Sequence, residues 1–460
     1  MSKENSNSIV PTADSIRYTL DDKGVGNAFA DSFKNELRFV REEKNWYYFD
    51  GTRWRRDTES LNARERAKKY LEHLCSIAHG SENGDFVRFV AELASSGKRK
   101  TMLDEAKSVH PLSISDFDTR GDLLNCLNGT IDLNTCERRE HNPSDLITKL
   151  APVTYDENAK CLRWLKFIDE IMCNVEETRA YLQKWYGYGI TGETSEECLL
   201  IKYGPRTRNG KGTLDESVMN VLGDYALNMQ PDSLAKRKRY SGSSPSPDIA
   251  RNVGVRFVNV NEPAEDMVFD AAILKQLTGS DTVTARFLYG SSFDFVPRFK
   301  LFISTNHLPT ITDDTLFASR RIWVIPFSRH FNEDEQDKGL KTQFKTETSK
   351  SAILNWMLEG LMMYRASGLE APEAVKKATA AYRQATDTVG SFIENFSIKK
   401  AGAKPRKTSE IYLLYKRWCR ESSLAYVASQ KFVGRLRNMG HVKRDGKIGN
   451  VIVDLEINYS

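Results

Sequence analysis

Residues 198–213 read CLLIKYGPRTRNGKGT, and this stretch decides the fold. Residues 198–203 form a short apolar run typical of a buried strand. Leu214, Val218 and Leu222 then recur at helical spacing. A strand, a glycine loop and a helix in this order are the context of a phosphate-binding loop, where backbone N–H groups and a helix N-terminus meet phosphate oxygens. The sequence therefore predicts a nucleotide site.

The loop supplies the residue types that such a site needs, with two departures from the usual pattern. Five residues separate its two outer glycines where four are usual, and a glycine follows the lysine where a hydroxyl normally binds Mg²⁺. Thr213 is then the candidate for Mg²⁺, and Lys211 is the candidate for the β- and γ-phosphates. The predicted contacts to ATP are Gly204, Asn209, Gly210, Lys211, Gly212 and Thr213. A second glycine–lysine pair, Gly97-Lys98, follows no apolar strand and is predicted to be accidental.

Polar side chains follow two further apolar runs. Residues 255–260 lead into Glu262, which could orient a water molecule, and residues 300–305 lead into Asn306, which could sense the γ-phosphate. Glu262 could instead be a surface residue after an edge strand, in which case Glu265 or Asp266 becomes the candidate base.

Two arginines, Arg320 and Arg321, directly precede a fourth apolar run at residues 322–327. They cannot both be core residues, because burying an unpaired guanidinium is unfavourable. Arginines at this place could stabilise transition-state charge in the site of a neighbouring subunit.

Composition excludes several classes of protein. The 460 residues carry 40% hydrophobic and 28% charged residues, the values of a globular chain of roughly three domains. No apolar run is long enough to cross a membrane, and the polar first residues do not form a secretory signal. The seven cysteines lack zinc-finger spacing and fit reduced thiols in a cytoplasm.

The positive charge is concentrated near the C-terminal end. Residues 399–447 hold fourteen Lys or Arg against three acids, although the whole chain is only +5. Two amphipathic helical patterns, at 408–422 and 429–439, precede a hairpin pattern, which predicts a winged-helix module. Its cations could form only a solvated face, but their convergence favours DNA phosphates as partners. The candidates are Lys431, Arg435, Arg437, Lys443, Arg444 and Lys447.

In the order of these motifs, the chain resembles superfamily 3 helicases of the phage/plasmid and poxvirus primase-helicase type over about residues 35–460. The resemblance implies that Lys211, Glu262 and Asn306, with Arg320 or Arg321, are the catalytic residues. Residues 274–289 are similar to the linking motif and DNA-facing hairpin of the family. Family members often carry a lysine at the hairpin tip, where this chain has Gly290. The DNA-contact candidates in this segment are Lys275, Arg286 and Tyr289.

The resemblance also implies an α/β fold with an AAA+-like P-loop NTPase core, an N-terminal α+β/helical domain and a C-terminal winged-helix domain. The expected boundaries are a disordered lead at 1–25, an N-terminal α+β domain at 26–150, a helical, oligomerising layer at 151–195, the ATPase domain at 196–385 and the winged helix at 386–460. A primase domain, which many relatives carry, has no room before residue 195, so a separate primase is expected to supply priming.

The expected function is an ATP- and Mg²⁺-dependent ring helicase, most simply a homo-hexamer. It would act on single-stranded and forked or duplex DNA during replication of a phage, plasmid or other mobile element in a bacterial cytoplasm. The alternative is a DNA-binding replication initiator that uses ATP as an assembly switch with little unwinding. No membrane partner is expected.

Overall fold

The computed structural model describes residues 18–236, 247–286, 292–399, 404–422, 424–445, 449–453 and 455–457. The expected lead up to residue 17, Tyr289 and Gly290 of the hairpin tip, and Lys447 lie outside these ranges. The chain divides into two compact units, the first formed by Met1–Tyr155 with Leu222–Tyr225 and the second by Asp156–Val221 with Ala226–Ser460.

The first unit combines helices with two small antiparallel sheets. Its helices are α1 (Asp22–Ser32), α2 (Leu61–His79), α3 (Gly84–Glu92) and α4 (Ser96–Ala106). Its strands are β1 (Leu37–Val40), β2 (Asn45–Phe49), β3 (Trp54–Arg56), β4 (Leu123–Cys126), β5 (Gly129–Asp132) and β6 (Glu137–Arg139). The sheets are ordered β1-β2-β3 and β4-β5-β6.

Side-chain caps explain where two of these helices begin. The buried carboxylate of Asp57 accepts hydrogen bonds from the backbone N–H groups of Asn62 and Ala63 in the first turn of α2. Ser95 accepts from the N–H of Lys98 at the start of α4, and the ammonium of Lys98 pairs with Asp22 at 2.9 Å. The second glycine–lysine pair therefore belongs to a capped helix and not to a phosphate loop.

The second unit holds the remaining elements. Its helices are α5 (Leu162–Ile171), α6 (Glu176–Gly189), α7 (Lys211–Leu222), α8 (Pro247–Ala250), α9 (Ala271–Thr278), α10 (Thr315–Ala318), α11 (Leu340–Gln343), α12 (Glu347–Ser367), α13 (Glu373–Thr386), α14 (Thr388–Phe396), α15 (Thr408–Glu421) and α16 (Ser429–Asn438). Its strands are β7 (Leu199–Tyr203), β8 (Ala226–Met229), β9 (Phe257–Asn261), β10 (Val283–Arg286), β11 (Ser292–Phe295), β12 (Lys300–Thr305), β13 (Ile322–Pro326), β14 (Ser397–Lys399), β15 (Arg406–Lys407), β16 (Val442–Asp445), β17 (Gly449–Ile452) and β18 (Leu455–Ile457).

A parallel sheet with the order β13-β7-β12-β9-β8 forms the centre of the second unit, which confirms the predicted α/β class. Strand β7 lies between β12 and β13, both of which come later in the chain. The chain leaves β7 toward one edge of the sheet and later returns to its other side. Ligands bind in open sheets at such a reversal, outside the carboxyl ends of the strands.

Alternate residues of the sheet face two different cores, as its burial on both faces requires. Leu199 and Ile201 of β7 face a core shared with α9 and Tyr382 of α13. The opposite face presents Phe302, whose ring contacts Trp185 and Tyr186 of α6. Helix α6 also packs closely on α12. The helical segment expected ahead of the nucleotide domain thus forms part of its core, because its aromatic face covers the sheet.

The C-terminal module has a core of its own. Helices α14, α15 and α16 bury Phe392, Tyr415, Phe432 and Leu436 together with Ile452 of β17. Antiparallel strands in the order β15-β17-β16 flank these helices, and β14 pairs with β18. Across the described ranges of both units, no helix combines the length and the apolar character needed to cross a bilayer.

Candidate nucleotide site and nucleic-acid contacts

The loop that follows β7 lies at the carboxyl edge of the sheet, between the ends of two neighbouring strands. The N–H of Gly204 donates to the carbonyl oxygen of Thr305 at 3.2 Å, and the N–H of Phe327 donates to that of Tyr203 at 2.6 Å. A Cβ atom on Gly204 would lie 2.6 Å from the carbonyl oxygen of Phe327. Glycine is therefore required here for close backbone packing.

The loop turns into α7 through left-handed backbone. Arg208 has a φ of 56° and Gly210 a φ of 84°, and a Cβ on Gly210 would lie 2.4 Å from Ile171 Cγ2. The N–H of Leu214 donates to Gly210 as the first bond of the helix. The N–H groups before it have no acceptor within the helix, so they are available to an anion. The side chain of Asn209 is buried and donates to the carbonyl oxygen of Arg206 at 2.7 Å, which braces the loop.

Lys211 is the buried cation of the site. Its Nζ donates to the carbonyl oxygen of Thr305 and to Oδ1 of Asn306, both at 2.8 Å, and lies 3.3 Å from the carbonyl oxygen of Gly204. Burial lowers the pKa of Lys211 to about 8, and the nearby charge of Lys202 adds to this effect. The structure thus brings together the predicted phosphate lysine and the predicted sensor asparagine.

Glu262 lies directly after β9 on the same edge. Its N–H donates to the carbonyl oxygen of Ser304 at 2.8 Å, its side chain is exposed, and its φ is 49°. Left-handed backbone is unfavourable for a glutamate and is often found at functional sites. The carboxylate is close enough to Lys211 to favour its charged form. The two alternative candidates for the base lie nearby in sequence: Glu265 faces His307 at 3.6 Å, and Asp266 is exposed.

A buried network beneath the loop was missed by the sequence reasoning. The carboxylate of Asp215, four residues after Lys211, pairs with Lys202 of β7 and accepts from Ser304 of β12 at 2.7 Å and from Tyr186 at 3.1 Å. Burial lowers the pKa of Lys202, while Asp215 opposes that shift. The network ties α7 to the strands on which the loop and the sensor are mounted. The sequence did contain one signal of this network, because Lys202 is a lysine inside an otherwise apolar strand.

These residues fit a nucleotide with its magnesium ion. Gly204 and Gly210 let the loop pack closely against its neighbours, and the buried ammonium group of Lys211 lies beside the N–H groups at the start of α7. Gly212 is exposed with open space around its Cα, and the half-buried Thr213 carries the first hydroxyl of α7. Thr213 is thus the hydroxyl residue at the start of α7 that could offer an oxygen to Mg²⁺.

The two arginines before β13 differ in their surroundings. Arg321 is mostly buried, pairs with Glu197 at 2.5 Å and donates to Thr278 at 3.1 Å. Arg320 is exposed, has a φ of 57°, and its guanidinium has no partner among the described residues. Both precede the strand, so they lie at the amino edge of the sheet, away from the loop of their own chain.

Of the DNA contacts expected in residues 274–289, Lys275 lies on α9 and Arg286 on β10. Lys275 donates to Thr315 at 2.7 Å and pairs with Asp313 at 3.2 Å. Arg286 is the last residue of β10 and is half-buried, with partners of its own. These placements do not bring either residue to the nucleotide loop.

The cations of the C-terminal module fall into two groups. Lys443 and Arg444 are exposed on β16, and the exposed Arg437 lies 3.5 Å from Asn450. Lys431 and Arg435 of α16 point away from the core of the module, as expected. Their side chains nevertheless contact another part of the chain. They lie opposite acidic residues that follow β12, which no pattern in the sequence had indicated.

Comparisons with known proteins show which proteins this chain is similar to. Residues 26–173 match the family model described as D5 N terminal like. Two viral proteins that are helicases by name are similar to this chain over 312 residues each. L207/L206 of Acanthamoeba polyphaga mimivirus is 30% identical over 64% of this chain and 32% of that protein. 022R of Frog virus 3 is 27% identical over 64% of this chain and 30% of that protein. A third, 184R of Invertebrate iridescent virus 6, is 28% identical over 49% of the chain and 24% of that protein.

The chain thus spans about a third or less of the length of these curated relatives. Among solved structures, the apo A form of the NrS-1 C-terminal region matches with a TM-score of 0.50 at 12% identity, covering 92% of this chain and 88% of that one. This likeness concerns the fold alone. Residues 26–173 thus resemble the D5-type N-terminal family, and 64% of the chain is similar to viral proteins that are helicases by name.

Proposed function

We propose that this chain is the ATP-hydrolysing motor of a ring-forming DNA helicase of superfamily 3. The observation that carries the proposal is the meeting of Lys211, Glu262 and Asn306 at the carboxyl edge of three adjacent parallel strands. The strand order, with β7 between later strands, supports an AAA+-like P-loop core. The helices and sheet of residues 388–457 support a winged-helix module.

Each residue has one task in the proposed reaction. Bound ATP with Mg²⁺ supplies the phosphoryl group whose transfer to water releases energy. The backbone N–H groups at the start of α7 and the Lys211 ammonium hold the phosphates, and Lys211 exchanges its present carbonyl acceptors for phosphate oxygens. Thr213 offers its hydroxyl to the metal ion. Glu262 orients the attacking water, and Asn306 lies beside Lys211 to contact the terminal phosphate or that water.

We assign the trans-acting arginine to Arg320. Arg321 is held by Glu197 within its own subunit, whereas Arg320 is exposed. The five residues of β13 separate Arg320 from the carboxyl edge, a distance of about 16 Å at ~3.3 Å per residue. Arg320 therefore cannot serve its own nucleotide, and a neighbouring subunit of a ring would place it at the next site. A homo-hexamer is the expected ring.

The test is a fork-unwinding assay run beside ATP hydrolysis, with and without single-stranded DNA. Lys211→Ala should lose nucleotide binding and turnover together, while Glu262→Gln should retain ATP without hydrolysing it. Glu265→Gln is the matched control and should keep turnover, because its side chain faces His307 and not the loop. If Glu262→Gln hydrolyses ATP at the parent rate, the assignment of the base is wrong. ATP binding without DNA-stimulated turnover would instead favour a replication initiator that uses ATP as an assembly switch.

A further inference from the structure

An acidic turn lies opposite the cationic face of α16. The turn, residues 311–314 with the sequence ITDD, precedes α10. Lys431 Nζ lies 3.5 Å from Asp313 Oδ2, and Arg435 Nη1 lies 3.7 Å from Asp314 Oδ2. Two successive turns of α16 thus meet two successive carboxylates.

The two acids are held in place by other elements of their own domain. Asp313 accepts from Thr315 at 2.8 Å and pairs with Lys275 of α9 at 3.2 Å. Partial burial opposes ionisation of Asp313, but these hydrogen bonds prevail and bring its pKa to about 2. Asp314 receives two hydrogen bonds of 2.6 Å from Arg383 of α13. The hydrogen bonds and ion pairs therefore fix the two carboxylates of the turn in place.

The contact with α16 is much looser. Both cross-contacts exceed hydrogen-bond length, and the side chain of Lys431 is 54% exposed. A cavity of about 300 Å³ separates the two surfaces and is lined by residues of both, including Phe317 and Asn438. Within its own module, Arg435 is anchored by Asp387. Exposed ion pairs of this kind contribute little each, so the two surfaces can part readily.

We propose that the acidic turn is a built-in phosphate mimic that occupies the DNA-binding face of α16 until a duplex displaces it. This inference rests on the proposed DNA binding by the module. Carboxylate oxygens and phosphate oxygens are alternative partners for the same Lys and Arg donors. Lys443 and Arg444 on β16 remain exposed and make the first contact with DNA. Binding is then completed when Lys431 and Arg435 exchange Asp313 and Asp314 for phosphates.

The consequence for affinity follows from the closed state. When only the open fraction of molecules can bind fully, the apparent dissociation constant equals the intrinsic constant divided by that open fraction. Neutralising the turn should therefore strengthen DNA binding without any new contact.

The experiment measures binding of a fluorescent duplex to the full chain over a range of salt concentrations. Asp313→Asn with Asp314→Asn should tighten the apparent dissociation constant by about five-fold, because two weak ion pairs no longer hold the closed state. The salt dependence should become steeper, since Lys431 and Arg435 then reach phosphates in more of the molecules. Hydrogen exchange along α16 should also be faster in the doubly substituted protein without DNA.

The matched control removes two exposed carboxylates elsewhere in the second unit, Glu370→Gln with Glu394→Gln. It makes the same change in net charge and should alter affinity by less than about two-fold. If this control tightens binding as much as the acidic-turn variant, general repulsion explains the gain and the mimic is refuted. In a background of Lys431→Met with Arg435→Met, neutralising the turn should give no gain, and a persistent gain would also refute it.

A separate arm distinguishes failure of this inference from failure of the proposed function. Lys443→Ala with Arg444→Ala should weaken duplex binding in every background. If these substitutions weaken binding while the acidic-turn variant matches the parent, the phosphate mimic is wrong and DNA binding by the module stands. If the parent chain binds no duplex at low salt, the proposed DNA binding fails and the inference falls with it.

Discussion

Nucleotide affinity should depend on pH through Lys211. In the free protein, burial and the charge of Lys202 lower the pKa of Lys211 to about 8 from its ordinary 10.5. Holding phosphate requires the charged ammonium, so binding above this pKa must take up a proton. Affinity should be constant below the pKa and fall as pH rises through it. At pH 9 about one-tenth of the free protein retains the charge, so affinity should be about ten-fold weaker than at pH 7, or ~1.4 kcal/mol.

Two substitutions should move this midpoint in opposite directions. Lys202→Met removes a repelling charge and should shift the midpoint to higher pH, whereas Glu262→Gln removes an attracting charge and should shift it to lower pH. The assay is titration of a fluorescent, slowly hydrolysed ATP analogue between pH 7 and 9.5. A phosphate with a pKa of ~6 is already about nine-tenths ionised at pH 7, so ionisation of the nucleotide changes little in that range.

Removing the Lys211 ammonium provides the control for this titration. Lys211→Met should bind weakly, with a flat pH profile. Affinity of the parent that stays within about two-fold from pH 7 to 9.5, or a midpoint that neither substitution moves, would refute the assignment of the titration to Lys211.

Three further predictions concern single positions. Gly204→Ala should weaken ATP binding by at least about ten-fold in an equilibrium titration, because its Cβ would lie 2.6 Å from a backbone oxygen. Gly212→Ala should bind ATP normally in the same titration, because nothing lies within 4 Å of its added Cβ. Arg320→Ala should reduce DNA-stimulated turnover by about 10³-fold and leave denaturant unfolding unchanged. Arg321→Ala should instead destabilise the second unit by about 1 kcal/mol, since it removes the ion pair with the half-exposed Glu197 and the hydrogen bond to Thr278. Asp57→Ala should destabilise the first unit by about 1–2 kcal/mol and speed hydrogen exchange in the first turn of α2, while ATP affinity stays at the parent value.

The sequence was sufficient to predict that Lys211, Glu262 and Asn306 lie at one edge of the sheet, where we propose the nucleotide site. An apolar strand followed by a glycine loop, and two more strands that end in Glu262 and Asn306, place their polar residues at one edge, because the carboxyl ends of parallel strands coincide. The pairing of Lys211 with Asn306 follows from that geometry once the strands are neighbours. Local patterns were enough here because each residue is positioned by the strand directly before it.

Contacts between distant segments could not be predicted in the same way. Asp215 reaches Lys202 and Ser304 only because α7 packs on two strands that are far apart in sequence, and no periodicity records that packing. Likewise, the pattern of α16 shows which face is polar but not that Asp313 lies opposite it. The sequence also could not show which of Arg320 and Arg321 is the trans-acting arginine. Their different burial in the structure is the basis of our assignment to Arg320.

The left-handed backbone at Arg208, Glu262 and Arg320 lowers the free energy of unfolding at positions that include two proposed functional residues. Each of these residues holds a conformation that is unfavourable by roughly 1–2 kcal/mol for a residue with a Cβ and nearly free for glycine. Glycine at Glu262 or Arg320 would therefore relieve backbone strain while removing a proposed functional side chain. A selection for heat resistance alone would favour such changes early, and the most thermostable variants of this chain would be among its least active.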